Sequence, residues 1–180
     1  MFKSSFPTIK TDELILRKVK PEDIVFFNAL SSPETSKAVL AIGRGGKKPR
    51  KDLTTWPDAR PYMGFFFDSL FKIEDEYADT FDPSDIRSTL SLFLEGYDES
   101  DDSGVWFDKV KAIADKLGYA SDMKAYKADP TAFRGNVADI SMFIRVAVTG
   151  KQNAPDLYTV MQILGKEKVA ERIQSMIQRI

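Results

Sequence analysis

The sequence predicts an all-α protein made of two small helical-bundle subdomains, and three observations carry that prediction. From Ile140 to Ile180 apolar residues recur three times with the period of a helix, separated by glycine and proline breaks. No stretch shows the sustained apolar–polar alternation of a strand. No period of 20–50 residues, the mark of a solenoid or propeller, repeats along the chain. The subdomains are read as residues 1–82 and 83–180, with Asp82-Pro83-Ser84 as the junction.

The first subdomain is built from short pieces. Leu14, Ile15 and Leu16 are apolar, with Thr11 and Asp12 as candidate helix caps. Pro21-Glu22-Asp23 starts a second helix, its acidic residues placed at the positive end of the helix dipole, with Ile24, Phe27 and Leu30 toward the core. Ser31 and Glu34 have the spacing of a capping box, with Pro33 in the first turn, and that helix runs through Val39 and Ile42 to Gly43.

The next stretch, Gly43 to Lys51, is a glycine- and proline-punctuated basic loop carrying Arg44, Lys47, Lys48, Arg50 and Lys51. It is not a Walker loop. Gly46-Lys47 is followed by Lys48-Pro49 rather than Ser or Thr, and a helix precedes it where a strand is needed. Two readings stand side by side: a solvated basic turn, or a contact to RNA. Glycine lets backbone approach a ligand, and the guanidinium fork reads phosphates and base edges. Thr55 to Asp58 again has capping spacing, with Pro57 inside it, and opens a helix containing Tyr62, Phe65, Phe66, Ser69, Leu70 and Ile73. The Phe65-Phe66-Phe67 run beside a basic loop has the character of a base-stacking platform. A core stripe is the preferred reading.

In the second subdomain Ile86, Leu90, Phe93 and Leu94 share one side of a helix, and the acidic Glu95–Gly104 stretch is an exposed loop. Ser103 is the expected cap of the following helix, whose face is Trp106, Val110, Ile113, Ala114 and Leu117 and whose stop is Gly118. Tyr119 to Asn136 has few periodic apolar residues and reads as partly irregular; Arg134-Gly135 is taken as a structural turn ahead of an RNA contact. Ile140, Phe143, Ile144 and Ala147 then form a clean face, with Arg145 off it and near the helix end, and Thr149-Gly150 stops that helix. Asn153-Ala154-Pro155 restarts the chain with proline in the first turn. Leu157, Val160, Met161 and Leu164 make the next face up to Gly165; Val169, Ile173, Met176, Ile177 and Ile180 make the last.

Composition removes whole classes of chemistry. The 180 residues contain no Cys and no His. There is therefore no disulfide, no thiolate nucleophile, no Cys/His zinc site and no histidine acid–base catalysis. No apolar run approaches the length of a membrane span, and the polar start MFKSSFPTIK does not read as a secretory signal. A cytoplasmic protein is expected. With a net charge of −1, the molecule is not a general nucleic-acid glue. A local basic patch, Arg44 to Lys51, and acidic clusters at Glu74–Glu76 and Glu95–Asp102 would attract an anion in one place and repel it elsewhere.

An ordered set of motifs resembles the C-terminus of bacterial class I glutamyl-tRNA synthetases. It comprises Arg145-Val-Ala-Val-Thr-Gly150, then Pro155-Asp-Leu157, then Leu164-Gly-Lys-Glu-Lys168 and an amphipathic helix. Pro49-Arg50 followed by Asp52-Leu-Thr-Thr-Trp-Pro-Asp58 is similar to the junction between that family's two anticodon-binding helical domains. The loop here is richer in glycine than the family's commoner form.

The resemblance implies a helical cage that binds tRNA. Arg50 would read the first anticodon base, with Arg44 and Lys48 as further tRNA contacts. Arg145 and the stretch Ala154, Pro155 and Leu157 would face the second and third bases. The family often has Thr where this chain has Ala154, so backbone groups remain for base reading there. Arg145 also has a purely structural reading, as a cation favoured by the nearby helix C-terminus. The family's nucleotide motifs have no match, one of them requiring histidine. The resemblance therefore implies no catalysis and no cofactor in this chain, with ATP and magnesium confined to a catalytic domain absent from it. The expected partners are a glutamate-specific tRNA and that catalytic domain, with no membrane, and a monomer is expected. Three alternatives stay open: a helical protein–protein interaction domain, a related cage from a class I lysyl-tRNA synthetase, and a glutamyl enzyme that also charges the glutamine tRNA.

Overall fold

The computed structural model describes residues 62–180 and, ahead of them, two short strands, β1 (Ile9–Lys10) and β2 (Ile15–Leu16). The strands pair antiparallel, Ile9 opposite Leu16 and Lys10 opposite Ile15. Ile15-Leu16 is thus a rung of a minimal ladder rather than the helix that Thr11 and Asp12 were expected to cap. The helices and basic loop expected between Pro21 and Pro61 lie outside the described residues.

The remainder is helical: α1 (Pro83–Gly96), α2 (Ser103–Leu117), α3 (Met123–Ala128), α4 (Val137–Thr149), α5 (Leu157–Leu164) and α6 (Lys166–Arg179). Internal contacts divide the chain into Met1–Leu70 and Phe71–Ile180, so the second compact unit starts ahead of Pro83. The reason is side-chain burial from the stretch before α1. Tyr77 donates its hydroxyl to the Phe143 carbonyl at 2.9 Å, and the rings of Tyr77 and Phe81 meet the Phe143 ring edge-on at 5.8 and 4.9 Å.

In the first unit Tyr62 and Met63 are helical, Gly64–Phe66 is a single 3₁₀ turn, and Phe67 is extended. The long helix expected to reach Ile73 therefore ends early. Phe65 is buried, consistent with the core reading of the aromatic run.

Helix α4 is the axis of the second unit. Asn136 and Asp139 close a capping box at its start, satisfying amides that would otherwise lack partners. Ile140, Phe143, Ile144, Val146, Ala147 and Val148 have no exposed surface at all. A helix apolar on nearly all sides must be surrounded: α1, α2 and α6 contact it, and α5 packs on α6. Burial of Phe143 alone is worth about 1.5–3 kcal/mol.

Two helix starts differ from expectation. Asp102, not Ser103, caps α2, accepting from the Gly104 and Val105 amides. Asp156 caps α5, accepting from the Thr159 amide and hydroxyl, so Pro155 sits before the cap and not in the first turn.

The Tyr119–Asn136 stretch, which holds α3 and a 3₁₀ turn at Pro130–Ala132, is closed at its base. Arg134 N donates to Gly118 O (3.0 Å), Ala120 N to Gly135 O (2.9 Å) and Val137 N to Ala120 O (2.8 Å). Buried Asp85 ties this base to α1. It accepts from the Tyr119 hydroxyl at 3.0 Å and from Arg134 at 2.7 Å. Burial, then the bond to Asp85, pushes the Tyr119 hydroxyl pKa upward. Arg134 therefore has the structural role preferred from sequence. Asp85→Ala leaves a buried hydroxyl without its acceptor and lowers stability by about 2–4 kcal/mol, whereas Asp85→Asn, which keeps an acceptor oxygen, costs less. Urea denaturation of the two variants measures both.

Candidate nucleic-acid interface

The chain leaves α4 through a turn that cannot continue as helix. Gly150 has φ +74°, in the left-handed region, and donates its amide to Val146 O at 2.8 Å. Thr149, fully buried, places its hydroxyl 2.8 Å from Arg145 O and 3.1 Å from Lys151 O, and accepts from Lys151 N at 3.2 Å. The turn is thereby pinned to the last coil of α4.

Arg145 then reaches across the turn. Its Nη1 donates to the carbonyls of Ala154 (3.0 Å) and Pro155 (2.9 Å). The two carbonyls precede the Asp156 cap, so one half-buried guanidinium fixes the backbone between α4 and α5. Ala154 and Leu157 are buried, 1% and 3% exposed, and anchor the loop from below. Arg145, Ala154, Pro155 and Leu157 are thus brought together as one loop. Arg50, Lys48 and Arg44 lie outside the described residues.

The outer side of the loop is held by the acidic stretch after Phe71. The amides of Glu74 and Asp75 both donate to Gly150 O, at 2.9 and 3.0 Å. The Gln152 amide donates to Asp75 Oδ2 at 2.6 Å, and Gln152 Nε2 donates to Glu76 O at 2.9 Å. Lys151 pairs with Glu74, and this hydrogen bond holds the Glu74 carboxyl below its ordinary range against the opposing effect of burial. Beneath the turn, buried Arg172 of α6 donates to Val148 O at 2.8 Å and lies over the Phe71 ring, 3.8 Å from its centroid.

This segment of the chain is also the part that a family model matches. A family model described as an anticodon binding domain matches residues 131–177, which include α4, the Arg145 loop and α5. The glutamate–tRNA ligase of Acetivibrio thermocellus is 38% identical over 175 residues, covering 97% of this chain and 32% of that protein. The chain belongs to the glutamate–tRNA ligase family, as its anticodon-binding region. The glutamate–tRNA ligase of Sorangium cellulosum is 43% identical over 143 residues, covering 78% of this chain and 25% of that protein. That of Clostridium perfringens is 36% identical over 166 residues, covering 89% and 30%. The chain spans about a third of the length of the curated relatives it matches, or less.

Among the described residues of this glutamate–tRNA ligase region, no helix is long and apolar enough to cross a membrane. The residues that sequence reasoning missed at the loop are Thr149, Asp75, Gln152 and Arg172. Thr149 was visible only as part of a helix stop. Asp75 was read as one of an acidic cluster on the surface. Arg172 sat one position from Ile173 on an amphipathic helix and carried no signal of burial.

Proposed function

We propose that this region reads the anticodon of a glutamate-specific tRNA on behalf of an enzyme that joins glutamate to that tRNA. The observation that carries the reading is the grip of Arg145 on the carbonyls of Ala154 and Pro155, which fixes a surface loop between two helices of a rigid bundle. Anticodon bases are unpaired, and proteins read such bases by stacking and by hydrogen bonds to their exposed edges. That requires backbone and side-chain groups held within a fraction of an ångström, which a loop stapled to buried helices supplies.

In this reading the loop that Arg145, Ala154, Pro155 and Leu157 build faces the second and third bases through its exposed backbone and the Arg145 guanidinium, Ala154 and Leu157 being buried beneath it. Arg50 reads the first, with Arg44 and Lys48 as further tRNA contacts. With a net charge of −1 on the whole chain, attraction to tRNA comes from such local cations. Affinity then falls as salt rises, because phosphate neutralisation releases counterions. The chain acts as a monomer in the cytoplasm. It holds no cofactor of its own, ATP and magnesium serving the catalytic part of the enzyme.

Arg145→Ala tests the assignment. Loss of a base-reading arginine costs about 1–3 kcal/mol of cognate tRNA binding and relaxes discrimination at the base it serves. Titration of wild type and variant with cognate and anticodon-altered tRNA measures it. An Arg145→Ala protein that is less stable yet keeps the full anticodon preference would reduce Arg145 to a structural staple.

A further inference from the structure

We infer that the strap Lys72–Glu76 is the positioning element of the reading loop, and that Asp75 sets anticodon discrimination without touching RNA. The inference rests on the anticodon-reading assignment of the Arg145 loop.

The end of α4 satisfies the Gly150 amide and both backbone groups of Lys151, which leaves the Gly150 carbonyl and the Gln152 amide to find partners elsewhere. They find them on the strap. Gly150 O accepts from two successive strap amides, those of Glu74 and Asp75. The Gln152 amide donates to the Asp75 carboxylate, the Gln152 side chain reaches Glu76 O, and Lys151 meets Glu74. A Cβ on Gly150 would lie 2.1 Å from Lys72 O, so strap and turn are in the closest backbone approach that glycine allows. Arg145 holds the downstream part of the loop, Ala154–Pro155. The strap holds the upstream part. With one end released, the other no longer defines where the loop's groups point.

The charge of Asp75 makes the assignment testable by sign. A carboxylate beside an RNA-reading loop repels phosphate, so removing the charge alone tightens binding to every tRNA without regard to anticodon. Removing the hydrogen bond does something different: it frees the turn and lowers the preference for the right anticodon. Asp75→Asn loses the charge and keeps an acceptor oxygen for the Gln152 amide. Asp75→Ala loses both. Asp79→Ala removes a charge from the same stretch, away from the turn.

The experiment uses the full chain and titrates glutamate-specific tRNA and the same tRNA with an altered anticodon. Asp75→Ala is expected to lower the preference about fivefold or more, while Asp75→Asn and Asp79→Ala keep it. Hydrogen exchange supplies the independent readout: the Gln152 amide exchanges faster in Asp75→Ala, while the amides of α4 stay protected. Glu74→Ala, which removes the Lys151 contact, moves the preference in the same direction and serves should Asp75→Ala fold poorly. If Asp75→Ala keeps the wild-type preference while Arg145→Ala loses it, the positioning role is wrong and anticodon reading stands. If Arg145→Ala also keeps the preference, the reading assignment of the loop fails and the inference fails with it.

Discussion

Gly150→Ala lowers the stability of the second unit by about 3–5 kcal/mol, from three effects that act together. The residue sits at φ +74°, where a Cβ is strained for any L-residue. The added Cβ would lie 2.1 Å from Lys72 O and 3.0 Å from Lys72 C, backbone atoms that cannot swing aside as a side chain can. To admit it, the strap must retreat, and the bonds from the Glu74 and Asp75 amides to Gly150 O break with it. Gly118 is the internal comparison. It has φ +78°, but a Cβ there would meet only the Arg134 side chain, at an ordinary 3.6 Å. Gly118→Ala therefore bears the conformational cost alone, about 1–2 kcal/mol. Chemical denaturation of the two variants separates conformational strain from steric exclusion. Equal losses would mean that the strap does not press on the turn.

Arg172→Ala is expected to cost about 3 kcal/mol or more. Arg172 is 4% exposed and donates to the Val148 carbonyl at 2.8 Å, in the last turn of α4. Its guanidinium lies over the Phe71 ring. A charge-assisted hydrogen bond contributes about 1.5–3 kcal/mol, and a desolvated cation–ring contact can add about 2 kcal/mol. Truncation also leaves a gap where the aliphatic stem was packed. Arg172→Met refills that gap while losing the polar contacts, so it is less destabilised than Arg172→Ala. Thermal melting of the pair reads packing and polar contributions apart. A variant with alanine as stable as wild type would mean that Arg172 is tolerated in the core and does not hold α6 to α4.

The legible parts of this fold were those with a local cause. The face of α4 could be read from Ile140, Phe143, Ile144 and Ala147 because helical period alone dictates it, and all four have no exposed surface. Gly118 and Gly150 could be read as stops because a left-handed cap strongly favours glycine. Caps slipped by a residue where two competent side chains are adjacent: Asp102 and Ser103 can each cap a helix, and only the backbone's path chooses between them. The strap was not legible. Its bonds run from Asp75 and Glu76 to Gln152, far along the chain, and nothing near Glu74 announces them. Of the site, Arg145, Ala154, Pro155 and Leu157 were named by their resemblance to an ordered motif. What the motif did not contain was the reason for the arginine's position, which is the pair of carbonyls it holds.

A chain that reads the anticodon distinguishes tRNAs that differ there alone. The most direct test is titration of the chain at low salt with glutamate-specific tRNA and with the same tRNA carrying a changed anticodon. The unaltered tRNA is expected to bind more tightly, with affinity for both falling as salt is raised. Equal affinity for the two tRNAs, or no binding of either by a folded chain, would contradict anticodon reading.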